Sequence, residues 1–214
     1  MFRSSGKTAK NTSNHNHMRP GSRPGRCLKG STTGMTETEL LKPEDGISSD
    51  GYITTQDCFS TVRYRTMRAD INGCGFIAAY NLRHALGHNV EWDAVRMELD
   101  GMHRLRVPGP TLMRVMRDYL GKYVPDYQET AGREEAIAAA KASSAGLFRY
   151  NEEREPHFIC YVKQEDGNFR FFNVNDGLED TVMSMEDFAE GHLLWGTVIA
   201  LTVQNINQER KETE

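Results

Sequence analysis

Cysteine is scarce in this sequence, and no two cysteines are close enough to form a metal clip. The four cysteines occupy positions 27, 58, 74 and 160, so there is no Cys-x-x-Cys pair. This spacing argues against a structural zinc site and against a disulfide framework. His84 and His88 could join a metal site, but Gly87 is expected to end the helix between them. The sequence therefore predicts free thiols, no metal and no cofactor.

Long apolar runs are also missing. No stretch approaches the roughly 20 residues of a transmembrane helix, and the N-terminus lacks the apolar core of a signal peptide. We therefore expect a cytoplasmic protein without membrane insertion. With 214 residues, 38% of them hydrophobic, the chain can build the core of one medium-sized domain.

Acidic residues are absent from the first 34 positions, which carry seven Lys or Arg among many Gly, Ser, Thr and Asn residues. Such a segment cannot bury enough apolar surface to order itself. Beyond Phe2 it has no aromatic residue to stack on bases, and the rest of the chain is acidic, so no nucleic-acid partner is expected. We predict a disordered basic leader and linker over residues 1–50, one domain over 51–207 and a charged tail over 208–214. The sequence does not indicate an oligomeric state.

Apolar periodicity divides the domain into helices followed mainly by strands. The predicted helices are 74–86, 91–99, 110 or 111 to about 120, 132–143 and 184–191. The predicted strands are 59–66, 147–150, 157–163, 169–174 and 193–203. Helices that precede a run of antiparallel strands predict an α+β fold, with the helix that begins at Cys74 packed on the sheet.

Cys74 lies in the run Asn72-Gly73-Cys74-Gly75, where this helix is predicted to begin. A thiol in the first helical turn lies beside unpaired N–H groups and the positive end of the helix dipole. Both favour the thiolate, which is the nucleophile. The two glycines are interpreted as leaving room for a substrate beside the sulfur. Cys160, in the middle of an apolar strand, is instead typical of a buried packing residue.

His157 follows a proline at the start of a predicted strand, so a rigid apolar strand would hold it at a sheet edge. A helix-leading Cys followed later by such a His is typical of thiol hydrolases, in which a third polar group orients the His. A two-residue turn at 166–167 would bring Asp176 opposite His157. A three-residue loop at 165–167, ending on a left-handed glycine, would bring Asn173 onto the same face, one diagonal step away. Periodicity alone leaves both candidates open.

The residues that resemble a known family form three segments: 72–82, 157–162 and 169–176. They resemble a papain-like cysteine peptidase, most of all the small bacterial branch around the leader peptidases that process double-glycine bacteriocin precursors. The similarity spans about residues 56–203. It implies a papain-like fold, a peptide or protein substrate, and Cys74 and His157 as catalytic residues. The third member follows the His by about sixteen residues in such peptidases, which favours Asn173, with Asp176 as the alternative.

The resemblance also implies an oxyanion donor beside the Cys74 N–H. The family usually has a Gln several residues before the Cys, but here the sixth position upstream is Arg68, and the nearest preceding Gln is Gln56. Asn72 is therefore expected to donate, with Gln56 as the alternative. The residue after Cys-Gly is often Pro in this branch and is Phe76 here.

We therefore expect a thiol hydrolase that cleaves a peptide or amide bond through a Cys74 thioester, with His157 as general base and acid. Two alternatives stay open. Without the usual upstream Gln, the chain could be a peptidase-like module that binds a peptide or partner with little or no catalysis. The same Cys and His could also form an acyltransferase, in which an amine rather than water takes the acyl group.

Overall fold

The structure, a computed structural model, describes residues 41–104, 107–152, 155–174, 181–193 and 196–204. Most of the predicted leader (1–50) and all of the predicted tail (208–214) lie outside the described residues. The helices are α1 (Ala69–Asn72), α2 (Cys74–Ala85), α3 (Trp92–Met102), α4 (Met113–Tyr123), α5 (Arg133–Ala142) and α6 (Met185–His192). The strands are β1 (Arg63–Tyr64), β2 (Met67–Arg68), β3 (Gln128–Ala131), β4 (Ala145–Glu152), β5 (Glu155–Lys163), β6 (Phe169–Phe172), β7 (Thr181–Met183) and β8 (Ile199–Val203).

The last part of the predicted linker is folded. Pro43–Gly46 forms a 3-10 helix, and Ile47 makes an antiparallel bridge to Ile53. Gly46 is buried and lies so close to Cys58 that an added Cβ would be 3.0 Å from the Cys58 Cβ. The folded part of the chain therefore begins before residue 51, the boundary that composition predicts.

An antiparallel sheet of six strands forms the centre of the described structure. Its strand order is β3-β8-β4-β5-β6-β7, and every neighbouring pair is antiparallel. β1 and β2 form a separate small hairpin. Helices packed on an antiparallel sheet confirm the predicted α+β class at this level.

The sheet separates two hydrophobic cores, because successive side chains of a strand point to opposite faces. Phe158 and Cys160 of β5 join the core that contains α2, α3 and α4, whereas Ile159 and Tyr161 join the core that contains α5 and α6. Ten of the twelve residues of α2 are buried, in agreement with its apolar sequence. The helix that begins at Cys74 is therefore enclosed between the sheet and two other helices.

The hairpin between β5 and β6 has the predicted three-residue loop. Cys160 pairs with Phe172 and Lys163 pairs with Phe169. Gly167 has the left-handed φ of +88° that closes such a loop. This register removes the two-residue turn on which the alternative pairing of Asp176 depended.

Two helix ends also follow the predicted signals. Gly87 has a φ of +81°, and the N–H groups of Gly87 and His88 donate to the carbonyls of His84 and Arg83, which closes α2 in a Schellman motif. Ser184 caps α6, because its hydroxyl accepts from the Asp187 N–H.

The predicted strand at 59–66 is wrong. Asp57–Phe59 is a 3-10 helix, and extended structure is confined to Arg63–Tyr64. Arg65 then adopts a left-handed φ of 58° that turns the chain back into β2. Its guanidinium donates to the carbonyls of Gly109 and Pro110, which helps to hold this turn.

The prediction from apolar alternation is also wrong at the edges of the sheet. β3 and β7 are absent from the prediction, because their residues are exposed or half-buried and carry little apolar alternation. The predicted strand at 193–203 is too long. Within the described residues, it is extended only over Ile199–Val203, and the left-handed Gly196 precedes it.

Candidate active site

Cys74 lies where two helices meet. α1 ends at Asn72 and α2 begins at Cys74, with Gly73 between them at φ −76° and ψ −9°. The first N–H groups of a helix lack intrahelical acceptors. The Asp70 carbonyl, which an unbroken helix would offer to the Cys74 N–H, accepts from the side-chain amide of Gln56 at 3.0 Å. The sulfur therefore lies in the first turn of α2, where the sequence predicts it.

The two glycines beside Cys74 fit against the protein's own atoms. A Cβ on Gly73 would overlap the Ala69 carbonyl, and a Cβ on Gly75 would overlap the side chain of Thr111. The interpretation that both glycines leave room for a substrate is therefore wrong. They allow the helix break and the segment around residue 111 to pack closely beside the sulfur.

His157 contacts both Cys74 and Asn173. Its Nε2 lies 2.8 Å from the main-chain oxygen of Asn173. A carbonyl can only accept, so Nε2 carries the proton and Nδ1 remains an acceptor. The Cys74 side chain lies close enough to the imidazole to raise its pKa, and Nδ1 is the nitrogen left to face it. The ring of Tyr150 packs edge-on against the imidazole, with centroids 5.7 Å apart.

The pKa of His157 is raised above its ordinary value of 6.5. Burial is the largest influence and lowers this pKa, because it disfavours the imidazolium. The hydrogen bond to Cys74, the charge attraction to Cys74 and the hydrogen bond to the Asn173 carbonyl together outweigh burial. The site therefore favours a proton on this imidazole.

Asn173 reaches His157 through its backbone rather than its side chain. Its φ of 63° is left-handed, which is uncommon for a residue other than glycine. The Asn173 N–H donates to the Thr54 carbonyl at 2.9 Å. Its side-chain oxygen accepts from the Gln56 N–H at 2.8 Å, and its side-chain nitrogen donates to the Gln56 side-chain oxygen at 3.3 Å. The alternative third member, Asp176, lies outside the described residues.

The two predicted oxyanion donors have different surroundings. Asn72 is buried and donates its two amide protons to the carbonyls of Tyr64 and Gly109, at 3.1 and 3.2 Å. These bonds leave it no amide proton for a substrate. Gln56 is half-buried and donates to the Asp70 carbonyl, which uses one of its two amide protons. Of the two candidates, only Gln56 keeps a proton to donate.

Sequence reasoning misses several residues that build this site. Thr54 and Tyr64 supply carbonyls that hold Asn173 and Asn72, and the Tyr64 hydroxyl lies 2.8 Å from that of Thr111. Main-chain acceptors leave no signature in a sequence. Asn81 does leave one, because it is an amide within an apolar helix. It bonds both the N–H and the carbonyl of Ile53, at 2.9 and 2.8 Å.

No group of three His, Cys, Asp or Glu side chains suited to a metal ion occurs among the described residues. His84, which the metal alternative invoked, lies with its Nε2 2.7 Å from the Asp50 carbonyl. In the part of the chain that the structure covers, no helix has both the length and the apolar character needed to span a bilayer. Comparison of the chain with protein-family models and with curated proteins finds no match.

Proposed function

We propose that this chain is a papain-like cysteine peptidase that cleaves a peptide or amide bond through a thioester on Cys74. The proposal rests above all on one arrangement. A thiol at a helix start lies close enough to an imidazole to raise its pKa, and one nitrogen of that imidazole is bonded to a main-chain acceptor. This is the arrangement that activates a sulfur nucleophile. The order along the chain, with the Cys helix before the His strand and Asn173, also suits a papain-like fold.

In the first half of the reaction, His157 Nδ1 takes the thiol proton as the Cys74 sulfur attacks the substrate carbonyl carbon. The Cys74 N–H and the second amide proton of Gln56 are the donors for the oxyanion that forms. The C–N bond then breaks, and the leaving amine takes the proton from His157. In the second half, His157 takes a proton from water as that water attacks the thioester. The C–S bond then breaks, and the departing Cys74 sulfur takes the proton back from His157 as the acid product leaves.

The test is formation of an acyl-enzyme from p-nitrophenyl acetate, which needs no knowledge of the natural substrate. The wild-type chain should release a burst of about one equivalent of nitrophenol per site, with an acetyl group on the peptide that carries Cys74. Cys74→Ala should lose the burst, and His157→Ala should slow acylation by roughly 10²–10⁴-fold. Cys160→Ala is the control, because this buried thiol lies outside the site and its loss should leave the burst unchanged. A burst that survives in Cys74→Ala would refute the proposal.

The same experiment separates the alternatives. A binding module would show no burst although it is folded. An acyltransferase would form the acyl-enzyme but return to free enzyme slowly in water and faster when glycinamide is added as an acceptor. A hydrolase should also cleave the peptides of a library at defined bonds. Mass spectrometry of the products identifies those bonds.

A further inference from the structure

The acceptor for His157 is a main-chain carbonyl, so the backbone of Asn173 decides where that acceptor points. Asn173 is 2% exposed and holds a left-handed φ of 63° directly after β6 ends. Asparagine tolerates this region better than most residues, but the conformation still needs support from its surroundings. If Asn173 relaxed to an extended conformation, its carbonyl would turn and the bond to His157 Nε2 would be lost.

Gln56 supplies most of that support. Its N–H donates to the Asn173 side-chain oxygen, and its side-chain oxygen accepts from the Asn173 side-chain nitrogen. The two residues are therefore joined by a reciprocal pair of amide hydrogen bonds between segments 117 positions apart in the chain. The remaining main-chain contact, from the Asn173 N–H to the Thr54 carbonyl, comes from the same segment.

Gln56 also reaches the other side of the site. Its side-chain nitrogen donates to the Asp70 carbonyl at 3.0 Å, four residues before Cys74. One side chain thus bonds both the turn that leads to the sulfur and the residue that holds the imidazole. A change at Gln56 would act on both partners of the Cys74–His157 pair.

We propose that Gln56 is a positioning residue, whose amide pairing with Asn173 holds the Asn173 carbonyl against His157 and thereby fixes the imidazole beside Cys74. This role differs from oxyanion donation, because it acts through Asn173 on the resting site before any substrate binds. Its effect on turnover rests on the proposed function, whereas its effect on His157 does not.

The test measures the rate at which iodoacetamide alkylates Cys74 as a function of pH, by mass spectrometry of the peptide that carries Cys74. Alkylation forms no oxyanion, so it reports positioning without the contribution of an oxyanion donor. Gln56→Ala should slow the reaction at pH 6 on the order of tenfold to a hundredfold, and the rise in rate should move to higher pH. Asn173→Gly keeps access to the left-handed conformation but removes the amide side chain, and it should move the profile in the same direction.

Gln56→Ala removes the side-chain bond to Asn173 but keeps the bond from the Gln56 main-chain N–H, whereas Asn173→Gly removes both. Because the two variants share the loss of the side-chain bond, their effects in the double variant Gln56→Ala/Asn173→Gly should be less than additive. Gln164→Ala is the matched control, because Gln164 is also half-buried and also donates to one main-chain carbonyl, that of Val162. The pH profile of alkylation in Gln164→Ala should equal that of the wild type. Circular dichroism with thermal unfolding shows that each variant is folded. Additive effects, or an unchanged profile in Gln56→Ala, would overturn the positioning role.

A second readout separates this inference from the proposed function. The His157 Nε2–H, bonded to the Asn173 carbonyl, should give a slowly exchanging NMR signal in the wild type that is broadened or lost in Gln56→Ala. Loss of that signal supports the positioning role even if the chain has no hydrolase activity. Its persistence in Gln56→Ala contradicts the role even if the chain is an active peptidase.

Discussion

At the residue scale, His157 has two neighbours of different kinds: the Asn173 carbonyl, which can only accept a hydrogen bond, and the Cys74 thiol, which raises the His157 pKa. The Asn173 carbonyl fixes the proton on Nε2, which leaves Nδ1 as the nitrogen that can face Cys74. Burial alone would favour the neutral ring, so the raised pKa of His157 depends on its contact with Cys74. The charge state of the imidazole is therefore a property of the pair.

This dependence predicts that Cys74→Ala lowers the pKa of His157. The substitution removes the hydrogen bond and the charge attraction that raise this pKa, while the burial that lowers it remains. The imidazolium should therefore persist to higher pH in the wild type than in the variant. The measurement is a titration of the His157 ring resonances by NMR.

His103 provides an internal control for that titration. Its pKa is lowered by burial, its Nδ1 lies 2.7 Å from the Leu99 carbonyl, and Cys74 is not among the groups that shift its pKa. Its titration should be the same in both proteins. A His157 pKa that does not fall in Cys74→Ala would show that the thiol and the imidazole do not interact.

The residue scale also shows where prediction from the sequence ends. Cys74 and His157 can be identified because a helix start and a strand start leave clear signals. Asn173 can be identified as a polar residue in an apolar strand. Its left-handed backbone and the bond between its carbonyl and His157 leave no signal in the sequence. Gln56 stays an alternative because only the fold brings it beside Asn173.

At the element scale, long buried segments could be predicted and short or exposed ones could not. The helix that begins at Cys74 and the strands on both sides of the 165–167 loop have strong apolar periodicity. β3 and β7 lie at the two edges of the sheet and bury little, so their strand structure comes from pairing with neighbours rather than from their own side chains.

The close fit at the start of α2 predicts that Gly75→Ala destabilises the protein. The new Cβ would overlap the side chain of Thr111, whose hydroxyl lies 2.8 Å from that of Tyr64. We expect a loss of about 1–3 kcal/mol in the free energy of unfolding, which exceeds the gain in helix propensity. Urea denaturation followed by circular dichroism measures this loss.

Gly121→Ala is the matched control within another helix. A Cβ on Gly121 would meet no heavy atom within 4 Å, so this substitution should stabilise the protein by about 0.5–1 kcal/mol. In the Gly75→Ala background, Thr111→Gly removes every overlapping atom and should restore part of the loss. Equal effects of the two alanine substitutions would contradict the packing role of Gly75.

At the scale of the whole molecule, the site is assembled from four distant parts of the chain, around residues 56, 74, 157 and 173. Asn81 joins the first two parts, because its side chain bonds both backbone groups of the buried Ile53. The segment that carries Gln56 is thereby held against α2. Composition could not predict this docking, since it depends on one amide in an otherwise apolar helix.

Asn81→Leu should therefore destabilise the whole domain. It preserves the approximate volume but leaves the N–H and the carbonyl of Ile53 buried without partners. Each lost partner carries a desolvation cost, so we expect a loss of about 2–4 kcal/mol in the free energy of unfolding. Asn89→Leu, at an exposed position, should stay within about 0.5 kcal/mol of the wild type. Chemical denaturation of both variants checks this difference, and equal values would argue against the docking role of Asn81.

The burial of Cys58 and Cys160 allows a labelling test of whether the chain is folded. Cys58 and Cys160 are fully enclosed in the core, and burial raises the pKa of the Cys160 thiol. In a Cys27→Ser background, an intact molecule should thus take up a single label, whereas one that has opened should take up three. The number of labels per molecule therefore distinguishes a folded chain whose Cys74 is unreactive from an unfolded chain. This measurement needs no substrate.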